Sequence, residues 1–322
     1  CDVLTLKQDD VYLGIYPMGH VGLSWGIAAM RAGALYVMME RYEPTRYLEL
    51  CKQFGVTVLA GMPPVIHSLT EAPENAGTEE ALATVREIIS GGGPLHHEIW
   101  KKFHYRYNIP VINAYGLSET VVIGTGTVIR PEDYASADRF QSVGHPVCFS
   151  EVKIVDEADS SIEMPVGTPG EIALRGPAVA LGYWNMEAET KAAFLEDGWF
   201  LTGDVGYLDS DNRLCITDRK KDMIVMSGWK IYPTEVEDAL IRFEGIAEIA
   251  VFGVPHEHRG EIPAAAVVWR EGWDSSNESQ LMDFAREHLA GYKVPRKIIS
   301  VEALPRVNGW KLLRRELREQ YS

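Results

Sequence analysis

A strand, helix, strand pattern written twice near the start of the chain constrains the fold more than any other feature. The apolar run Ala34-Leu35-Tyr36-Val37-Met38-Met39 reads as a buried strand, and Pro44 opens a helix with Tyr47, Leu50, Cys51 and Phe54 at helical spacing. Gly55 ends that helix before a second strand, Val56-Thr57-Val58-Leu59. The pattern recurs from Glu87-Ile88-Ile89-Ser90 through Gly91-Gly92-Gly93-Pro94, then a helix with Ile99, Phe103 and Tyr107 on one face, to Pro110-Val111-Ile112-Asn113. Two such units predict a parallel sheet with right-handed crossovers. Ligands of these sheets lie beyond the carboxyl ends of the strands, so the loops at Gly91-Gly92-Gly93 and Tyr115-Gly116 are expected to face one crevice.

After about residue 140 the texture changes to short strands punctuated by glycine: Val152 to Val155, Gly170 to Leu174, Gly206 to Leu208 and Leu214 to Thr217. From Asp222 onward, strands such as Ala250 to Val254 and Ala264 to Trp269 mix with helices at Thr234 to Phe243 and Glu278 to Leu289. The expected fold class is α/β: a parallel-sheet part (1–138), a small β-rich subdomain (139–218) and a C-terminal α+β domain (223–322), joined through a charged hinge at 219–222. A chain of 322 residues, 46% hydrophobic, can bury cores of that size.

Lys and Arg number 31 against 46 Asp and Glu, a net charge of −15, which excludes a surface built for nucleic acid or anionic lipid. Any anionic ligand must be met by local positive groups. Cys1, Cys51, Cys148 and Cys215 are too scattered for a zinc site or a disulfide framework, so a reduced, cytoplasmic setting is expected. Apolar runs near Ile27 and Ala34 are broken by Arg31 and Gly33, well short of the roughly 20 residues a membrane span needs, so no integral membrane protein is expected.

The candidate chemistry centres on Asn113-Ala114-Tyr115-Gly116-Leu117-Ser118-Glu119-Thr120. Tyr115 suits a core aromatic or a purine platform. Glu119 beside Ser118 suits a solvated loop acid or a corner for Mg²⁺ and phosphate, since that hard cation takes one or two carboxylates plus phosphate oxygens. Gly91-Gly92-Gly93 is either a tight turn or a close approach to a flat ligand. Asp204, after Thr202-Gly203, could accept from ribose hydroxyls, and Arg219 offers a rigid fork of donors to a sugar or phosphate. Lys311 follows the turn signal Asn308-Gly309-Trp310; it is a solvated charge or an ammonium that meets charge developing in phosphoryl or nucleotidyl transfer.

Taken in order, these segments resemble the core motifs of the adenylate-forming superfamily, which includes the acyl-CoA synthetases. The resemblance runs along nearly the whole chain and also includes Tyr16 to Gly22, Gly170-Glu171 through Arg175-Gly176-Pro177 to Gly182-Tyr183-Trp184, Met226 to Pro233 with Glu235-Val236-Glu237, and Tyr292 to Pro295. It implies a ligase that joins a carboxylic acid to ATP, releases pyrophosphate, and passes the acyl group from acyl-AMP to a thiol. By similarity Tyr115 stacks on adenine, Gly92 and Gly93 line it with Asn113, Ala114 and Gly116, and Ser118 touches the α-phosphate. Glu119 holds Mg²⁺, Asp204 and Arg219 bind the ribose beside Ile216, and Lys311 bridges carboxylate and phosphate oxygens. Lys221 matches the hinge about which the C-terminal domain turns, a rigid-body switch that brings Gly228 and Trp229 alongside the pantetheine arm of CoA.

The same resemblance implies an acyl pocket from His20, Val21, Gly22, Met62, Pro63, Asn113, Ala114, Val122 and Ile123, with His20 grouped with the catalytic residues Lys311, Glu119 and Ser118. This set is mostly apolar and contains no carboxylate to meet an amino acid's ammonium, so a medium- or long-chain fatty acid or an aryl acid is expected, with CoA as acceptor. The alternatives are an aryl-acid ligase that loads a carrier protein, or a non-catalytic fragment or half of a split enzyme. Two departures matter. The glycine- and hydroxyl-rich phosphate loop of the family is absent upstream, so a fragment with weak activity is expected. Trp310 stands where the family has glycine before the lysine. A homo-oligomer is compatible with the sequence.

Overall fold

The computed structural model describes residues 6–16, 18, 21–73, 77–129, 142–307 and 311–322, and the chain divides into two compact units. The first comprises Cys1–Thr202 and Tyr207–Cys215. It starts with β1 (Val11–Gly14), α1 (Val21–Ala32), β2 (Leu35–Met38), α2 (Pro44–Phe54), β3 (Val58–Ala60), α3 (Pro63–Thr70) and α4 (Thr78–Ala81). There follow β4 (Glu87–Ser90), α5 (His97–Tyr107), β5 (Val111–Leu117), β6 (Val122–Val128) and β7 (His145–Pro146). These strands form one sheet in the order β2-β1-β3-β4-β5-β6-β7, parallel from β2 to β5 and antiparallel thereafter. The parallel sheet therefore forms where the strand, helix, strand pattern predicts it.

Local chemistry explains the boundaries. Pro44 occupies the first turn of α2, where its missing N–H costs nothing, and the Glu43 carboxylate accepts from Thr45 N (3.0 Å) and Arg46 N (2.6 Å). Gly55 ends the helix with φ 59°, a left-handed conformation that a side chain disfavours. Tyr47, Leu50 and Cys51 are buried, as their spacing predicts, but Phe54 is 39% exposed. In α5, Ile99 and Phe103 are buried together with Trp100. The strand at Leu35–Met38 is not buried throughout: it lies at the end of the sheet, with Val37 inside and Leu35 and Met38 exposed.

A four-stranded sheet, β11-β10-β9-β8, follows from β8 (Glu151–Val155), β9 (Gly170–Arg175), β10 (Phe200–Leu208) and β11 (Leu214–Arg219), with the short α6 (Glu187–Ala193) between β9 and β10. The boundary between the two units runs through β10 and β11, because Gly203–Gly206 and Ile216–Ser322 make up the second unit.

The second unit continues with β12 (Ile224–Met226), β13 (Trp229–Ile231), α7 (Pro233–Leu240), β14 (Ile246–His256), β15 (Gly260–Trp269) and α8 (Glu278–His288). It closes with β16 (Lys297–Ser300), β17 (Arg306–Val307), β18 (Lys311–Leu312) and α9 (Arg314–Tyr321). Alternation along β14 divides its core. Ile249 and Val251 pack with Val236 and Leu240 of α7 and Leu281 and Ala285 of α8, whereas Ala250 and Phe252 pack with Leu317 of α9. The sheet thus carries helices on both faces, the α+β texture expected of the C-terminal region.

Candidate active site

In the first unit, β5 carries Asn113, Ala114 and Tyr115, each under a tenth exposed, and then breaks register between Tyr115 and Leu117. A single 3₁₀ turn at Ser118–Thr120 follows, in which Thr120 Oγ1 accepts from Leu117 N at 3.0 Å. Ser118 is left exposed and Glu119 half-buried. Val121 then takes φ 49°, a strained value for a β-branched residue, so the turn after Glu119 is held by its surroundings rather than by preference.

Glu119 is fixed from two sides. Tyr183 Oη donates to its Oε1 at 2.9 Å, and Ala180 N donates to its backbone carbonyl at 2.7 Å. Burial and the Glu119 carboxylate push the Tyr183 phenol up to about 12, so it remains a donor at neutral pH. The other carboxylate oxygen carries no protein partner among the described residues and is available to a cation. Tyr183 lies in a motif legible in the sequence, but its contact with Glu119 spans 64 positions and leaves no local signal of its role.

The glycine loop lies beside this segment. A side chain at Gly91 would meet the Ala114 carbonyl at 3.1 Å, and Gly92 has φ 84°. Gly92 and Gly93 are exposed. Both loops therefore meet at the carboxyl ends of β4 and β5. Register pairs Ser90 with Asn113 and Tyr115 with Thr127, so these four side chains share one sheet face. The hydroxyls of Ser90 and Thr127 there are buried without a hydrogen-bond partner among the described residues. Orphaned hydroxyls beside Tyr115 and Asn113 fit a polar ligand better than a closed core.

In the second unit, Lys220 N donates to Gly203 O at 2.9 Å, which brings the ends of β10 and β11 together. Asp204 is buried, and Arg219 Nε lies 3.5 Å from its Oδ1 while the Arg219 side chain stays 43% exposed. A carboxylate and a guanidinium are thus paired at one strand end. Neighbouring Asp218 accepts from Arg219 N (2.8 Å) and Thr234 N (2.7 Å); burial raises its carboxyl, opposed by the charge of Arg314. Ile216 is half-buried on β11, and Lys221 is exposed. Ser227 (φ 52°) and Gly228 (φ 85°) form a left-handed tip that presents Trp229, 60% exposed, with its ring 5.0 Å from that of Tyr292. Lys311 lies on β18, whose backbone pairs with β17 opposite Val307. His20, Trp310, the side chain of Lys311 and those of Val122 and Ile123 fall outside the described residues.

Among the described residues no group of three or more His, Cys, Asp or Glu could enclose a metal, so a divalent ion at Glu119 would draw its remaining ligands from phosphate and water. No helix among them is long and apolar enough to cross a membrane. Cys51 and Cys215 are buried free thiols, whereas Cys148 is disulfide-bonded, which departs from the expectation of scattered, unpaired cysteines.

Residues 1–184 match the family model described as AMP-binding enzyme, and residues 235–309 match the AMP-binding enzyme C-terminal domain. A 3-[(3aS,4S,7aS)-7a-methyl-1,5-dioxo-octahydro-1H-inden-4-yl]propanoyl:CoA ligase of Mycobacterium tuberculosis is 36% identical over 98% of this chain and 59% of its own length. A long-chain-fatty-acid–CoA ligase of Bacillus subtilis is 35% identical over 96% of this chain and 54% of its own length. The crystal structure of ATP-bound MatB from Rhodopseudomonas palustris superposes with a TM-score of 0.89 at 30% identity, over 98% of this chain and 61% of that one. The chain spans less than two thirds of the length of these relatives.

Proposed function

We propose that this chain, which belongs to the AMP-binding enzyme family of adenylate-forming proteins, acts as part of an ATP-dependent acid–thiol ligase that makes a CoA thioester. The observation that carries the reading is the Glu119 carboxylate, anchored by Tyr183 through one oxygen and open at the other, one residue from the exposed Ser118 hydroxyl.

Adenylation is attack by a substrate carboxylate oxygen on the α-phosphorus of ATP, with pyrophosphate as leaving group. Tyr115, Gly92 and Gly93 hold the adenine end, and Asp204 with Arg219 holds the ribose. Ser118 donates to an α-phosphate oxygen. A bound Mg²⁺ supplies charge neutralisation at the phosphates, and Glu119 is the protein oxygen that fixes it. Lys311 meets the charge shared by carboxylate and phosphate as the new bond forms. In the second step a CoA sulfur attacks the acyl carbon, AMP leaves, and the Gly228-Trp229 tip lies along the thiol's arm. Lys221 serves as the hinge residue between the two steps.

For the acid we propose a medium- or long-chain fatty acid or an aryl acid. Val21, Met62 and Ala114 are buried and apolar, and Asn113 is the only strongly polar side chain among the described residues assigned to the pocket. Chain length is not finely specified by such a surface, since each methylene discriminates by about 1–3 kcal/mol.

The test is ATP–pyrophosphate exchange by the whole polypeptide with a panel of carboxylic acids, followed by detection of the CoA thioester. Glu119→Gln is expected to lower exchange by roughly 10²-fold, in the range of losing one electrostatic stabiliser. Exchange that is unchanged in Glu119→Gln, or a protein that gives no thioester with any acid, overturns the proposal.

A further inference from the structure

Helix α9 carries Arg314 and Arg318 one turn apart, and both reach back to the segment 218–222. Arg314 is the buried anchor. Its Nη2 donates to both Glu237 oxygens (2.8 and 2.7 Å), its Nε donates to Val251 O (3.2 Å), and its Nη1 lies 3.9 Å from the Asp222 carboxylate. Arg318 is a quarter exposed and is bound differently. Its Nη1 donates to Lys221 O at 3.2 Å and its Nη2 to Asp222 O at 3.4 Å, so one guanidinium takes two successive backbone carbonyls. The same Nη2 lies 3.7 Å from Glu261 Oε1, while Glu261 Oε2 accepts from Val225 N at 3.1 Å. Glu261 thus ties the guanidinium to β12.

The held segment is a short turn with two backbone bonds of its own, from Asp222 N (2.9 Å) and Met223 N (3.1 Å) to Arg219 O. It carries Arg219 at one end and Lys221 at its tip. We infer that Arg318 is a positioning residue: its fork fixes the turn at 219–222 and so sets where Arg219 and Lys221 point. The inference rests on the ligase reading only for its consequence, that this turn serves both the ribose contact and the switch between half-reactions. A planar fork matches two adjacent carbonyls at once, whereas the point charge of lysine satisfies them singly.

Hydrogen exchange in the full chain tests the contact without reference to activity. In Arg318→Ala the amides of Asp222 and Met223 should exchange roughly 10- to 100-fold faster, the effect of losing two net hydrogen bonds. Arg318→Lys should fall between, and amides of the β14–β15 pair should keep their rates. Unchanged exchange at Asp222 and Met223 overturns the inference, and so does equal acceleration in β14–β15, which would mark a general loss of stability. The consequence is read separately, on the whole polypeptide, as the ratio of pyrophosphate exchange to thioester formation from supplied acyl-adenylate. A shifted ratio supports the positioning role. A ratio unchanged in Arg318→Ala despite faster exchange overturns that role, whereas failure of the ligase reading appears as the absence of both activities in the wild-type polypeptide.

Discussion

Arg314 shows what a single residue can hide. In the sequence it belongs to a basic run, Arg314-Arg315, of the kind that is normally solvated, yet it is 9% exposed while Arg315 is open to solvent. The difference comes from Glu237, 77 positions earlier and 1% exposed, whose carboxylate needs a cation and takes the Val251 N–H at 2.7 Å as well. No periodicity in either segment announces the pair. Arg314→Leu would leave Glu237 buried with a backbone N–H alone. Denaturant unfolding should then show a loss of about 3–5 kcal/mol, the range for removing one member of a buried pair. A loss below about 1 kcal/mol, the level of an exposed pair, would mean that the carboxylate is already solvated. Tyr183 is the corresponding case at the site: its motif is visible in the sequence, but its grip on Glu119 depends on tertiary folding.

At the scale of elements, what the sequence revealed depended on whether a signal was local. The start of α2 at Pro44 and its stop at Gly55 are written in residues whose backbone preferences act within one turn, and both are observed. The glycine loop after β4 is likewise legible, because its neighbour, Ala114, lies on the next strand, β5, of the same unit. Burial of a particular strand is not local. Leu35–Met38 has the composition of an inner strand but lies at the end of the sheet, since order within a sheet is set by which helices cross which face. The Gly55 stop allows a clean measurement. A Cβ there would meet nothing within 4 Å, so Gly55→Ala tests backbone strain alone. It should cost about 1 kcal/mol, read as a lowered denaturation midpoint with unchanged slope. A neutral or stabilising effect would show that φ 59° is not retained at this position.

For the whole molecule, a net charge of −15 must be reconciled with the anionic substrates of the proposed reaction. The general field repels ATP and CoA, so cations have to be delivered singly and close at hand. Arg219 is one, paired with Asp204 at the end of β10. On the same proposal Lys311 is another, on β18, which pairs with β17 and leads into α9. The two half-reactions make opposite demands. Adenylation needs an ammonium against the phosphates, whereas thioester formation needs that space free for a thiol, and one arrangement cannot serve both. On the proposed ligase reading, Lys311 resolves the conflict by serving the first step and leaving the site before the second. Lys311→Ala in the whole polypeptide should therefore lower pyrophosphate exchange by roughly 10²- to 10³-fold. The same variant, given preformed acyl-adenylate and CoA, should form thioester at close to the parent rate, because the lysine has no task in that step. Rapid-quench measurement of both half-reactions on one preparation decides the matter: equal losses in the two would mean that Lys311 supports the fold of its hairpin rather than the first reaction.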